Sequence, residues 1–231
     1  LKDSARTKSN QKLSQNSLYS YFNKVKACLR QAYREELIIK NPAETVKGFN
    51  QGEVQREFLT FEELQKIVKA ECEIPQLKTA FLFSALTGIR WSDINNLTWR
   101  DLQFSETNSY WFIRFRQQKT KGVETLPISK QARELLPEAG EDNDRIFKGV
   151  KYSAWHNLKL QQWVMRAGIS KTITFHCARH TFATLQLTNG TDIYTVSKLL
   201  GHRELKTTQV YAKVIDQKKV DAINSIPNLS F

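Results

Sequence analysis

The residues with the clearest chemical potential lie near the carboxyl end of the chain. His176 and Arg179 fall in the segment FHCARHTFATL, and His202 and Tyr211 fall in LLGHRELKTTQVYAKV. A phenol is a weak nucleophile near neutral pH, because its ordinary pKa is about 10. Fixed positive charge around it favours attack on a phosphodiester, whose transition state carries spread negative charge. The set therefore predicts cleavage of a nucleic-acid backbone by the tyrosine.

Two cations upstream could complete such a site. Arg90 follows Gly88 in TGIRWSDI, where a turn would direct the guanidinium across a cleft. Lys119 lies in QQKTKG, a loop between two strand-like runs, and a loop tip can reach into a substrate. A single His and Arg three residues apart on a helix is more often structural than catalytic. The prediction therefore rests on the whole set.

Charge and composition limit the class of partner. The 231 residues carry a net charge of +12, which favours a polyanionic partner, nucleic acid before a membrane surface. Residues 1–56 hold eleven Lys and Arg against five Asp and Glu, an excess that favours DNA contact over a merely solvated helix face. No apolar run of membrane-spanning length and no secretion signal is present, so we expect a cytoplasmic protein.

The cysteines and the first residue add two further expectations. Cys28, Cys72 and Cys177 are scattered and odd in number, which fits a reducing compartment and predicts neither disulfides nor a metal site. The chain begins at Leu1 and its one methionine is Met165, so we expect a fragment of a longer protein.

Helical periodicity covers most of the chain. We predict helices at residues 17–37 (ended by Asn41-Pro42), 61–70, 76–86, 130–136, 153–167, 175–188, 193–200 and 207–212, then an amphipathic segment at 214–223. Thr60 and Glu63 form a capping box, and Gly88 is a left-handed cap. Residues 110–116 and 123–128 predict a β-hairpin.

Taken in order, these motifs resemble the tyrosine recombinase (phage integrase) family. The matching elements are TGIRWSDI, a KT-containing hairpin, the H-x-x-R pair in HCARH, and LLGH followed by T-x-x-Y. The match runs over roughly residues 15–223 and is strongest over 79–213. TFATLQLTNG and LLGHRELKTTQVYAKV look most like integrases of conjugative transposons and prophages.

The resemblance implies a role for each residue. Arg90 and Arg179 would hold the two non-bridging oxygens of the scissile phosphate, which suits the planar, bidentate guanidinium. Tyr211 would form a 3′-phosphotyrosyl bond while Lys119 protonates the departing 5′-oxygen. The remaining roles are proton movement at the tyrosine for His176, a hydrogen bond to the phosphate for His202, and orientation of the site by Asp93. Neither a metal ion nor another cofactor is implied.

Several alternatives stay open for single positions. Lys121 competes with Lys119, although the family lysine precedes a threonine. His180 shares the helix of His176 and is expected to pack or hydrogen-bond internally. Tyr152 and Tyr194 are alternative candidates for the nucleophilic tyrosine. Tyr194 fits the apolar pattern of a helix, so we expect it in the core. The five tryptophans are also expected in the core: Trp91, Trp99, Trp111, Trp155 and Trp163.

By resemblance the fold is mainly α with a small antiparallel β-sheet (α+β). We expect the carboxyl-terminal part of a helical, SAM-like core-binding domain at 1–50, a linker at 51–57 and the catalytic domain at 58–231. The partners implied are double-stranded DNA, held in a C-shaped clamp, and three further protomers in a synaptic tetramer, with room for accessory DNA-bending proteins and no membrane. The site of action would be the bacterial cytoplasm, at the nucleoid.

The function implied is site-specific recombination in the integration or excision of a mobile element. Two alternatives remain at this point. A type IB topoisomerase-like enzyme would share the nicking and closing chemistry without strand exchange. A DNA-binding regulator could keep the fold without catalysis, although the complete residue set argues against it.

Overall fold

The computed structural model describes residues 5–7, 10–52, 56–119, 121–211 and 223–224. Contacts between Cα atoms divide the chain into two compact units, Leu1–Gln55 and Arg56–Phe231. All the residues expected to do chemistry belong to the second unit.

The first unit is built around one long helix, α1 (Gln15–Arg34). Ser14 caps its start by accepting a hydrogen bond from the Ser17 N–H, at 3.2 Å. The prediction that α1 runs to residue 37 and is ended by the proline was wrong. Glu36 adopts a left-handed φ of 58°, which lets the Leu37 N–H donate back to the Ala32 carbonyl at 2.9 Å and closes the helix three residues early.

The second unit is mostly helical with one small sheet. Its helices are α2 (Phe61–Lys69), α3 (Pro75–Thr87), α4 (Trp91–Ile94), α5 (Lys130–Glu134), α6 (Ala154–Arg166), α7 (Phe175–Thr188) and α8 (Ile193–Leu199). Short 3₁₀ helices lie at Trp99–Asp101 and Leu205–Thr207. The strands are β1 (Leu102–Ser105), β2 (Tyr110–Arg116) and β3 (Val123–Ile128). The predicted fold class, mainly α with a small antiparallel sheet, is confirmed.

The core forms where α3 and α7 pack against each other. The α3 sequence, PQLKTAFLFSALT, is apolar on most of its circumference, so this helix is buried on nearly every side. The Phe81 ring meets Trp163 of α6 and Phe175 of α7 edge-on, each with ring centroids 5.8 Å apart. Helix α7, which carries Arg179, and helix α3, which ends just before Arg90, are therefore fixed by the largest buried side chains.

The sheet is antiparallel in the order β1-β2-β3. Ile113 of β2 faces Leu126 of β3 in register, and both side chains are buried against the helices. The predicted bounds of these two strands are confirmed. Strand β1 was missed because LQFS is only four residues long and its burial does not alternate.

The other helical predictions differ in outcome. The helix over 175–188 and the Thr60 capping box are confirmed. The helix predicted at 207–212 is wrong, because 3₁₀ turns occupy Leu205–Thr207 and 209–211 instead. The amphipathic segment at 214–223 lies outside the described residues, except for Ile223. Among the helices that the structure describes, none has the length and apolar character needed to cross a membrane.

Two expectations about the core were also wrong. Tyr194 is 60% exposed because it lies on the outer side of α8, beneath the Lys198 ammonium. Trp155 is 53% exposed, whereas Trp163, two turns further along α6, is fully buried. Both are amphipathic rings that can remain at a surface with little cost.

Candidate active site

The site begins at the sharp turn that ends α3. Gly88 adopts a left-handed φ of 71°, and a Cβ placed there would lie 2.5 Å from Cδ1 of Phe182. Only glycine fits a turn that combines this conformation with such close packing. The turn places Arg90 at the start of α4, where it is the N-terminal flanking residue of a helix only four residues long.

Arg179 connects this turn to the end of α8. Its side chain is buried, with Nη1 donating to the Gly88 carbonyl at 2.6 Å and Nη2 donating to the Leu200 carbonyl. Burial, followed by repulsion from Arg90, lowers the pKa of Arg179 to about 9. The guanidinium therefore stays charged near neutral pH in a pocket that holds it rigidly.

Arg90 has a buried nitrogen without a partner. Its Nη1 makes no hydrogen bond within the described part of the chain, and the nearest carboxylate oxygen, Oδ2 of Asp93, is 4.0 Å away. A buried donor without a hydrogen-bond partner is costly, so this nitrogen is well suited to bind an anion. Arg90 and Arg179 both line a cleft of about 150 Å³ together with Asp93, Gln117, Glu124 and Lys198.

Asp93 fixes the β2–β3 hairpin against this cleft. Its buried carboxylate accepts a hydrogen bond from the Gln118 N–H at 2.8 Å, one residue before Lys119. Lys119 is one of the cations that lower the pKa values of His176 and His202, so its ammonium lies within electrostatic range of both. The rival Lys121 instead adopts a left-handed φ of 59° at the turn.

His202 follows a second glycine that the packing requires. Gly201 has a φ of 59°, and a Cβ there would overlap the Gln117 amide on the hairpin. The His202 Nδ1 lies 2.8 Å from the Thr208 hydroxyl, which orients the ring. Burial and the nearby Arg179 and Arg90 lower the pKa of His202 to about 3, so the ring is neutral at neutral pH.

His176 lies at the outer side of the site, on the first turn of α7. The side chain is exposed at the surface, and its ring meets the His180 ring edge-on with centroids 4.6 Å apart. Partial desolvation, then Arg179 and three further cations, lower the pKa of His176 to about 4.

Tyr211 is buried, only 5% exposed, and belongs to a small apolar cluster with Phe182, Val196 and Leu200. Its hydroxyl oxygen lies 2.5 Å from Nδ1 of His180. Burial raises the pKa of Tyr211, while Arg179 and Arg56 oppose that rise. The rival tyrosines are both exposed, and Tyr152 contacts Trp91 rather than the cationic cluster.

The structure thus brings Arg90, Asp93, Lys119, His176, Arg179, His202 and Tyr211 into one electrostatically coupled cluster. It adds two residues that the sequence reasoning did not place there. His180 bonds the phenol, and Arg56 acts on His176, His180, His202 and Tyr211. The spacing of HCARH could have indicated His180, whereas Arg56 was assigned to a linker.

The cluster can perform anion chemistry. Several fixed cations surround a buried phenol, and one guanidinium nitrogen is unsatisfied, which suits a bound phosphate. Among the described residues, no group of His, Cys, Asp and Glu could hold a metal ion.

Comparisons with known sequences show the family of this chain. Residues 57–218 match the sequence profile of the phage integrase family, and residues 1–68 match the phage integrase SAM-like domain. A tyrosine recombinase of Pseudothermotoga lettingae is 32% identical over 225 residues, which cover 91% of this chain and 72% of that protein.

Solved structures share the fold. The XerA recombinase crystal structure has a TM-score of 0.60 at 23% identity, covering 94% of this chain and 78% of the other. A lambda integrase dimer bound to a COC′ core site has a TM-score of 0.67 at 21% identity, covering 85% of this chain and 73% of the other. The fold is that of tyrosine recombinase catalytic domains.

Proposed function

Because this chain belongs to the phage integrase family of DNA strand-transferring enzymes, we propose that it is a site-specific recombinase that cuts and rejoins double-stranded DNA through a 3′-phosphotyrosine at Tyr211. Membership confirms the resemblance drawn from its motifs. The reaction conserves the energy of the broken phosphodiester in the tyrosyl ester, so it needs no nucleotide cofactor.

One observation carries this proposal. The phenol of Tyr211 shares a cluster with the buried Arg179 and with Arg90, whose Nη1 lacks a hydrogen-bond partner among the described residues. A scissile phosphate placed there would supply the missing acceptor and spread its negative charge over two guanidinium groups. The charge that develops at phosphorus during attack would then be stabilised without rearrangement of the protein.

Each remaining residue has a role that fits its position. Arg90 and Arg179 hold the non-bridging oxygens, and His202, oriented by Thr208, donates to one of them from Nε2. Lys119 protonates the departing 5′-oxygen, which would otherwise leave as an alkoxide. Asp93 holds the base of the hairpin that presents Lys119, through its bond to the Gln118 N–H. The His176 ring packs edge-on against the ring of His180, which bonds the tyrosine hydroxyl.

The DNA is bound by both parts of the chain in this proposal. Residues 1–50 act as the carboxyl-terminal part of a core-binding domain, 51–57 as a linker and 58–231 as the catalytic domain. The net charge of +12 supports a clamp around a duplex. Four protomers assemble at synapsis, with accessory DNA-bending proteins as further partners, and the reaction serves integration or excision of a mobile element in the bacterial cytoplasm.

A trapping experiment tests this function. Overlapping duplexes that cover the DNA flanking the gene are nicked near each candidate cleavage position. Cleavage then releases a short fragment, so the reaction cannot reverse and the covalent complex accumulates. The wild-type chain should give a denaturant-resistant protein–DNA adduct, and Tyr211→Phe should give none. Tyr194→Phe is the matched control, because Tyr194 is 60% exposed and should leave adduct formation unchanged.

The same assay separates the alternatives. A catalytically silent regulator would bind duplexes but trap no adduct. A topoisomerase-like enzyme would trap adducts and relax supercoiled DNA, yet would not join two partner duplexes. Recombination requires both adducts and joint products.

A further inference from the structure

His180 contacts the nucleophile directly. Its Nδ1 lies 2.5 Å from the Tyr211 hydroxyl oxygen, and both side chains are only 5% exposed. The rings are tilted at 53° with centroids 5.5 Å apart, so the hydroxyl lies at the edge of the imidazole, beside Nδ1. This contact joins α7 to the segment after α8 and excludes water from the phenol.

The pKa values of the two groups indicate which of them donates the hydrogen bond. Burial lowers the pKa of His180 to about 3, and four charged or titratable neighbours add to the effect: His176, Arg56, Arg179 and His202. Burial also raises the pKa of Tyr211, so the phenol keeps its proton. A neutral imidazole next to a protonated phenol can accept its hydrogen bond at Nδ1, which leaves the ring proton on Nε2.

A buried phenol cannot attack phosphorus until its proton leaves. Within the described part of the chain, no hydrogen bond joins His176 to Tyr211, and the His176 ring is stacked edge-on against His180 instead. The sequence-based role of proton movement at the tyrosine therefore fits His180 better than His176. His176 lies behind His180, where it can hold the ring in place.

We propose that His180 is a catalytic residue that accepts the Tyr211 proton during DNA cleavage and returns it during rejoining, an inference that rests on the proposed recombinase function. In cleavage, the phenol O–H bond breaks and the proton moves to Nδ1. The phenol oxygen forms a bond to phosphorus, the bond from phosphorus to the 5′-oxygen breaks, and Lys119 protonates that oxygen. In rejoining, the 5′-hydroxyl gives its proton back to Lys119 as its oxygen bonds to phosphorus, the bond from phosphorus to the phenol oxygen breaks, and His180 returns its proton to that oxygen.

The bound phosphate makes this proton transfer easier. Arg56 and Arg179 both oppose a positive charge on His180 in the free protein. A phosphate diester carries one negative charge into the cluster, which offsets those cations and favours an imidazolium beside it. The base is thus held neutral until substrate arrives.

Single-turnover cleavage of nicked duplexes tests the proposal. His180→Asn places an amide oxygen near the position of Nδ1, so it keeps a hydrogen-bond acceptor but cannot take up a proton. We expect cleavage at pH 7 to fall at least about a hundredfold, with DNA affinity nearly unchanged. The rate should recover as pH rises and the phenol ionises without help. His156→Asn, which alters a histidine on α6, should behave as wild type.

A substrate with sulfur in place of the bridging 5′-oxygen separates the base from the acid. Thiolate leaves without protonation, so this substrate should restore cleavage by Lys119→Ala but not by His180→Asn. His180→Asn cleaving within threefold of wild type, or being rescued by the sulfur substrate, would overturn the proposal. If the wild-type chain itself forms no adduct, the recombinase function fails instead.

A measurement on the unaltered side chain guards against a misfolded variant. In protein labelled with ¹⁵N at histidine, His180 should show an unprotonated Nδ1 and a protonated Nε2, and Tyr211→Phe should shift the Nδ1 resonance. The opposite tautomer, with the proton on Nδ1, would mean that the phenol accepts the bond and that His180 cannot receive its proton.

Discussion

At the scale of single residues, the two arginines of the cluster differ in what they do for the folded protein. Arg179 donates to two backbone carbonyls and joins the ends of α3 and α8, so it is part of the architecture. Arg90 has a buried Nη1 that no described atom satisfies. Only an interaction that is stronger in the transition state than with the bound substrate raises the rate of the chemical step, and a free donor facing the phosphate can make one.

We therefore predict that Arg90→Gln lowers activity without lowering stability. Cleavage of nicked duplexes should fall about a hundredfold or more, while the midpoint of thermal unfolding changes little, because Nη1 of Arg90 makes no hydrogen bond and its contact with Asp93 is as long as 4.0 Å. Arg114→Gln, an exposed arginine on β2, is the control for a lost surface charge. A drop in Tm with normal cleavage at saturating DNA would show that Arg90 is structural.

The order of the motifs, through their resemblance to the recombinase family, predicted a set of seven site residues but not their contacts. The seven predicted residues form one cluster because their motifs occur in a fixed order on a shared fold. The bond from His180 to Tyr211 joins positions 31 residues apart, and no local pattern encodes such a contact. The exposure of Tyr194 was missed for a similar reason, since an apolar helical pattern does not say which side meets the core.

At the scale of elements, two glycine turns align the catalytic segments. Gly88 packs on Phe182 of α7, and Gly201 packs against the Gln117 amide at the start of the hairpin loop. The segment before His202 and the loop that carries Lys119 are thereby held together.

We predict that Gly201→Ala disturbs cleavage more than it disturbs folding. A methyl group would push Gln117 and the hairpin away, so cleavage should fall at least about tenfold. The control is Gly190→Ala, because Gly190 also has a positive φ, 101°, but has open space around it. Both variants should lose about 1 kcal/mol of unfolding free energy from backbone strain. Equal cleavage by the two variants would contradict this coupling.

Element bounds were predicted best where the side-chain pattern is strong. Strands β2 and β3 and helix α7 have the expected bounds, because their apolar positions repeat over six residues or more. Helix α1 ends earlier than predicted because Glu36 adopts a left-handed conformation. The sequence has no proline or glycine at that position to indicate the end of the helix. Where the local sequence pattern is weak, tertiary contacts determine where a helix ends.

At the scale of the whole molecule, charge governs the encounter with DNA. A net charge of +12 favours binding through many phosphate contacts, each of which releases counterions. We predict that the logarithm of the association constant falls linearly and steeply with the logarithm of salt concentration, with a slope of about −5 or steeper. Fluorescence anisotropy with a labelled duplex measures this slope. A nearly flat dependence would argue against a clamp.

The neutral histidines also connect the site to the stability of the fold. The pKa of His180 is lowered to about 3 in the folded protein, against about 6.5 when unfolded, so the unfolded chain binds more protons between these values. The unfolding free energy is therefore fully present above about pH 6.5 and falls as pH drops toward 3. Each such buried histidine contributes a slope of up to about 1.4 kcal/mol per pH unit.

We predict that His180→Asn flattens this pH dependence between pH 6.5 and 5. His176→Asn should flatten it less, since the His176 side chain is exposed. Denaturant titrations at several pH values measure the slopes. An unchanged slope in His180→Asn would show that the ring is already protonated in the folded protein.

The most direct test of the account is to identify the amino acid joined to DNA. A trapped complex is digested with protease and nuclease, and the peptide that retains a nucleotide is sequenced by mass spectrometry. We predict a single 3′-nucleotidyl modification on the phenol oxygen of Tyr211. Attachment to any other residue, or linkage through a 5′-phosphate, would contradict the mechanism.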